Sequence, residues 1–227
     1  MRAPGLPDLR HRSTEPELLD IGVPDEEVPR NLEDLRLVNR WLGARHRLLG
    51  AVRPHLEAGG TLLDVGCGSA DMPAFLLARV PSPALTVGLD VKLVHLRESP
   101  TGVRPVVADV EALPFPEAAF DVVTASLFLH HFDDVAPLLR SLYGLARRAL
   151  VVSDLHRAAV PHLFGQVAFP LLFRSRVSVH DGLVSIRRGF RPAELRAAFE
   201  AAGIAHARVR RCFPYRLLGV AVRSERG

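Results

Sequence analysis

Three residues in the stretch LLDVGCGSAD, from Leu62 to Asp71, could do chemistry together. An acid, Asp64, lies inside an apolar run, and Gly66 and Gly68 follow it one residue apart. Glycines so placed remove the Cβ atoms that would keep a ligand off the backbone. Ala70 stands where a third glycine would continue the pattern. Such a packing position tolerates alanine unless it needs a positive φ. A phosphate-cradling loop requires a Gly-Lys-Ser/Thr sequence, which is missing here. A dinucleotide turn would put its third glycine at Asp71, where an acid would face the pyrophosphate. The remaining ligand is one without phosphate, although a glycine turn with no ligand stays open. Two more acids end short apolar runs further on, Asp90 in VGLDVK and Asp109, followed by Val110, in VVADVEALPF. Proton-transfer chemistry has its candidates in His130, His131, His156, His162, His180 and Tyr215, histidine because its ordinary pKa lies near neutrality.

These residues need a scaffold. From Thr61, short apolar runs alternate with helical segments: TLLDV, LTVGLD, VRPVVAD, FDVVTASL and ALVVSDL read as strands. Runs without strict alternation suit strands covered on both faces. The expected fold is α/β, a doubly wound, Rossmann-like, seven-stranded, mostly parallel sheet with helices on both faces. IAHARVRRCF and YRLLGVAVRS form its closing strand pair, and RPAELRAAFEAAG is a helix with Pro192 in its first turn. Residues 1–30, rich in proline and charge, read as a loose N-terminal arm. Residues 31–227 read as one domain, with N-terminal helices over 31–57 (Leu32, Leu35, Val38, Trp41 and Leu42 on one face, a break near Gly43) and a helical insert over 155–180.

Composition narrows the class. The chain has 227 residues, 48% hydrophobic and 24% charged, with a net charge of +4. No apolar run reaches the roughly 20 residues that span a bilayer, and no secretory leader is visible, so a cytoplasmic protein without stable membrane insertion is expected. The basic residues are scattered and nearly all arginine, which argues against a nucleic-acid partner. Cys67 and Cys212 show no metal-ligand spacing, so no metal is expected.

In order and spacing, Asp64, Gly66, Gly68, Ala70, Asp90, Asp109 and the segment LPFPEAAFDVVTASLFLHHFDD resemble the class I S-adenosylmethionine (SAM)-dependent methyltransferases over residues 55–155. The resemblance implies SAM as cofactor, with S-adenosylhomocysteine (SAH) as product. It implies Asp64 near the methionine ammonium, Gly66 and Gly68 beneath the ligand, Asp90 on the ribose hydroxyls, Asp109 on the adenine amino group and Val110 against the ring. Methyltransferases acting on base amines carry an Asp/Asn-Pro-Pro-Tyr/Phe motif after the fourth strand. TASLFLHH is similar instead to the ubiquinone/menaquinone-type enzymes.

A small-molecule acceptor of aromatic, quinone or polyketide-like character is therefore expected, as in secondary metabolism. O-methylation is the favoured chemistry. C-methylation of a quinone-type ring and a non-catalytic SAM-binding scaffold remain alternatives. An oxygen acceptor needs a base, for which His131 and His180 are the candidates. Leu163, Phe164, Val167, Phe169, Leu172 and Phe173 of the insert are expected to wall the acceptor pocket. The same residues would also suit ordinary core or an interface. The oligomeric state is not legible.

Overall fold

The computed structural model describes residues 8–223 apart from positions 25, 42, 43, 82 and 98; the expectations for Leu42 and Gly43 fall outside them. In chain order the elements are α1 (Leu18–Ile21), α2 (Glu27–Trp41), α3 (Ala44–Val52), β1 (Thr61–Val65), α4 (Asp71–Leu77), β2 (Leu85–Asp90), α5 (Leu93–Leu96), β3 (Arg104–Val107), β4 (Phe120–Ser126), α6 (Ala136–Leu145), β5 (Ala146–Leu155), α7 (Ala159–Leu172), α8 (Arg176–Arg188), α9 (Pro192–Ala201), β6 (Arg208–Cys212) and β7 (Arg216–Val222). One seven-stranded sheet has the order β3-β2-β1-β4-β5-β7-β6. β7 pairs antiparallel with β5 and β6, and the other pairs are parallel.

The chain starts the sheet at β1, winds outward to β3, then returns to β4 on the other side of β1. That reversal leaves a crevice at the carboxyl ends of β1 and β4, where ligands of open α/β sheets bind. Alternate strand residues face opposite layers. Leu63, Val65, Val123 and Val152 pack toward Leu139, Leu142, Leu195 and Phe199 of α6 and α9. Leu62, Val122, Val151 and Leu218 pack toward Leu48, Val52, Met72 and Leu76 of α3 and α4. Both faces are covered, which is why the strands read as apolar runs rather than alternating ones.

Three expectations are corrected. The arm is not loose over residues 9–21. Asp181 accepts from the backbone N–H groups of Leu18 and Leu19 at 2.8 and 3.0 Å, Arg12 donates to the carbonyl of Phe132 at 2.7 Å, and Arg157 donates to that of Leu9 at 3.0 Å. The helical pattern also begins at Glu27, before Asn31. The insert forms two helices and extends to Arg188, beyond residue 180. Among the described residues no helix is long and apolar enough to cross a membrane.

Candidate active site

The glycine turn leaves β1 at the crevice. Gly66 and Gly68 have φ of +64° and +55°. Ala70 does need the conformation that would make alanine costly: its φ is 56° and ψ 25°. Left-handed backbone costs an L-residue about 1–2 kcal/mol. Its methyl is fully buried with Cys67, Leu96 and Val103, a gain of about 0.8 kcal/mol. Ala70→Gly exchanges these terms, so its melting temperature should stay within about 3 °C of the parent. A loss well beyond that would show that the methyl's packing dominates.

Asp64 is buried beside this turn. Thr124 donates its hydroxyl proton to it at 2.5 Å. Burial raises its pKa to about 7; the Thr124 hydrogen bond opposes this, and the charges of Asp71 and Asp90 add to it. A carboxyl in that state gains from any cation brought alongside. Asp90 accepts from the backbone N–H of Gly68 and of Lys92, each at 2.9 Å. Burial pushes its pKa up, but hydrogen bonds from His95, Lys92 and Gly68 prevail and hold it below the usual carboxylate range. Oδ1 meets both Lys92 and His95, whereas Oδ2, which accepts from Gly68, keeps a lone pair for a ligand. Asp109 is exposed and caps the short turn Val110–Ala112 by accepting from the N–H of Glu111 at 2.9 Å, while Val110 is buried.

A cavity of about 700 Å³ opens from the turn toward the insert. Asp64, Gly66, Cys67 and Gly68 line one end. Leu32, Leu35 and Val38 of α2 cover it. Leu155, Phe164, Phe169, Ile186, Pro214 and Tyr215 wall the other end. Asp90, Asp109 and Val110 are not among its lining residues and stand at the β2 and β3 side of the turn. Of the apolar set expected as the acceptor wall, Phe164, Phe169 and Phe173 line the cavity. Leu163, Val167 and Leu172 are exposed at 46%, 70% and 54%, because helical periodicity turns them away from it.

The histidines divide. His130, His131 and His156 line the cavity; His162 and His180 do not. His180 lies beside a smaller pocket with Pro170, Phe173 and Val179, and its Nδ1 meets Asp181 at 2.9 Å. His131 is a quarter exposed on the cavity wall, and its Nδ1 lies 2.7 Å from Asp20. That contact fixes Nδ1 as the protonated nitrogen and leaves Nε2 as an acceptor. Burial raises the pKa of Asp20, but the His131 hydrogen bond, then His131, Lys92 and His130 as charges, bring it below its ordinary value.

His130 is buried between two acids, with Nδ1 2.7 Å from Asp154 and Nε2 3.4 Å from Glu17. Burial alone would lower its pKa, but the charge and hydrogen bond of Asp154, with those of Glu17, raise it to about 9. Glu17 and Asp154 are held below their ordinary values: burial opposes this and contact with His130 outweighs burial. Glu17, His130 and His131 could place one ligand atom each within 4.8 Å of one another. A protonated His130 offers no lone pair at neutral pH, so the cluster reads as a charge network.

Its stability follows a definite sign. The His130 contribution is whole below its ordinary value of 6.5 and is lost as pH rises through about 9. The Glu17 and Asp154 contributions are whole above 4.5 and 3.8 and are lost as pH falls through their lowered values. The network is therefore complete between those limits. His130→Gln should lower the melting temperature most between about pH 5 and 6.5, and the gap from the parent should narrow toward pH 10. A gap independent of pH would remove the ion-pair assignment.

Reading the sequence missed Glu17, Asp20, Asp154, Arg157, Arg188 and Arg216, all buried except the 41%-exposed side chain of Asp20. Asp154 and Arg216 had a signal: each is a charge inside an apolar strand run. Cys67 is no nucleophile, since it is buried and burial, with Asp64 and Asp90 nearby, pushes its thiol pKa up.

A doubly wound sheet with a bare glycine turn at its switch point, and acids ending the first two strands, defines a class that holds a nucleoside ligand without grasping phosphate. Residues 63–149 match the family model described as a methyltransferase domain. The chain is 27% identical to a demethylmenaquinone methyltransferase of Roseiflexus sp. over 161 residues, 63% of this chain and 67% of that one. It is 30% identical to a ubiquinone biosynthesis O-methyltransferase of Pseudomonas paraeruginosa over 155 residues, 65% of each. The solved plantazolicin methyltransferase BpumL, in complex with SAH, has the same fold, with a TM-score of 0.70, 14% identity and coverage of 92% and 93%. Residues 63–149 are a methyltransferase domain, and these likenesses support a SAM-dependent methyltransferase with SAM as its cofactor. The sequence matches span about two thirds of the length of the two curated relatives.

Proposed function

We propose that the protein methylates a hydroxyl oxygen on a small hydroxylated aromatic or polyketide-like metabolite. The observation that carries this is His131: an imidazole on the wall of a largely apolar cavity, tautomer fixed by Asp20, in the same cavity as Asp64 and the glycine turn. SAM, when bound, supplies an electrophilic methyl on a sulfonium, so the protein's work is placement and proton removal.

The residues present fit that cofactor. Asp64, its carboxyl unsettled by burial, would receive the ammonium of the methionine moiety. Gly66 and Gly68 would lie beneath it without Cβ obstruction. Asp90, ionised and with a lone pair free on Oδ2, would meet the ribose hydroxyls, and Asp109 and Val110 would meet the adenine. His131 Nε2 would take the acceptor's hydroxyl proton. His180, outside the cavity lining, is assigned no proton transfer. The apolar far end of the cavity suits an aromatic body.

The second reading is C-methylation of a quinone-type ring; the likeness to the Roseiflexus demethylmenaquinone methyltransferase supports a quinone-type acceptor. The test incubates the protein with SAM and a panel of phenols, quinones and polyketides. Mass spectrometry would find a gain of one methyl, and NMR of the product would tell an O-methyl from a C-methyl. SAH binding with no turnover on any acceptor would favour the scaffold reading. A C-methyl product would replace the first reading by the second.

A further inference from the structure

We infer that the acceptor end of the cavity is a carboxylate-recognition site built on Arg216, so that the metabolite methylated here is an aromatic or similarly apolar acid. This rests on the small-molecule methyltransferase reading and names the acceptor's class within it.

Arg216 opens β7 and is 2% exposed, yet it lines the cavity. Both terminal guanidinium nitrogens are buried without any hydrogen-bond partner. Buried guanidinium groups elsewhere in the chain are satisfied: Arg157 by the carbonyls of Gly189 and Leu9 and by Glu194, Arg188 by the carbonyls of His130, His131 and Glu15. Asp154 is the charge nearest in effect, and it opposes the burial that pulls the Arg216 pKa to about 10. Its Oδ1 is taken by Nδ1 of His130 and the N–H of Leu155, its Oδ2 accepts from the N–H of His130, and neither terminal nitrogen of Arg216 hydrogen-bonds to it. Arg216 is thus a cation at neutral pH with two parallel N–H donors unmet.

An unsatisfied buried charge is costly to keep. A planar guanidinium edge matches a carboxylate through two parallel hydrogen bonds. The sheet register places this edge. Ser126 pairs with Ser153, Ser153 with Leu218, and Leu155 with Arg216. Alternation then puts Ser126, Ser153, Leu155 and Arg216 on one face, the face of Asp64 and Thr124. The Ser126 hydroxyl lines the same cavity and is also buried without a partner. Around these donors the wall is apolar: Leu155, Ile186, Pro214. One anionic head on an apolar body fits such a wall.

The test titrates 2,4-dihydroxybenzoate and its neutral amide, 2,4-dihydroxybenzamide, into the full-length protein with and without SAH. The acid should bind about 10- to 100-fold more tightly than the amide. In Arg216→Met that preference should fall to within about three-fold, with SAH affinity unchanged, and Arg216→Lys should keep part of it. Equal affinity for acid and amide in the parent, which needs no variant, would overturn the proposal. So would an undiminished preference in Arg216→Met, no acid binding at millimolar concentration, or Arg216-dependent binding of inorganic phosphate in preference to the acid. Absence of SAH binding would instead sink the reading of the catalytic site, while the acid-over-amide comparison stays readable on the free protein.

Discussion

Gly66→Ala is expected to abolish measurable SAH binding, a loss of at least 100-fold, and to lower the melting temperature by roughly 10 °C. The reasons are geometric and separate. Gly66 has a φ of +64°, where an added Cβ is strained whatever the space. That Cβ would stand 2.1 Å from Cδ2 of Phe128 and 2.5 Å from its Cγ, far inside any contact distance, so the ring or the turn must move. Phe128 is itself held by an edge contact with Phe132 at 5.1 Å between ring centroids. The ring therefore cannot swing aside freely, and the turn should give way. The double variant Gly66→Ala/Phe128→Ala separates the causes. It should regain part of the melting temperature by removing the clash and leave the backbone strain. Calorimetry with SAH and a thermal melt on the parent and both variants would check this. Parent-like values for Gly66→Ala in both would remove the glycine turn from the cofactor site.

That turn shows what a sequence can and cannot carry. The turn itself was legible: two glycines one residue apart after an apolar run do take positive φ, and Asp64 is buried beside them. The sheet was legible too: strands covered on both faces spell unbroken apolar runs. Ala70 was misleading, because residue type alone does not reveal a φ of 56°. The docking of residues 9–21 was invisible. It depends on Asp181, Arg12 and Arg157 meeting backbone groups more than a hundred residues away, and no local periodicity records such pairs. His180, a base candidate in the sequence, does touch its neighbour Asp181. But Asp181 also caps α1, and the imidazole lies beside a different pocket. His131 found its acid in Asp20, on the segment read as a loose arm. Only one of these two acid–histidine contacts, His180 with Asp181, joins neighbours in sequence. Arg216 stood in an apolar strand run, where a buried charge must be answered by something, and that clue lay in plain view.

His131→Ala should lower kcat by about 10²- to 10⁴-fold on a phenolic acceptor, the span of a lost general base, and leave the SAH dissociation constant within two-fold. The split follows from position. His131 lines the acceptor cavity and makes its side-chain contact with Asp20, whereas the groups proposed to hold SAM are Asp64, the glycines, Asp90 and Asp109. Losing the imidazole should cost proton removal and spare the cofactor. Asp20→Asn supplies a control that a packing role would not mimic. The imidazole remains, but its Nδ1 proton loses the carboxylate that holds the tautomer, so kcat should fall by less than in His131→Ala. The rate of His131→Ala should recover as the acceptor's own pKa drops, because a phenol already ionised at the assay pH needs no base. A series of phenols from unsubstituted to nitro-substituted would display that convergence. A constant deficit across the series would mean that His131 positions the acceptor rather than deprotonating it. An undiminished kcat in His131→Ala on every phenol would take the base away from this residue and turn attention to His156, which shares the cavity wall.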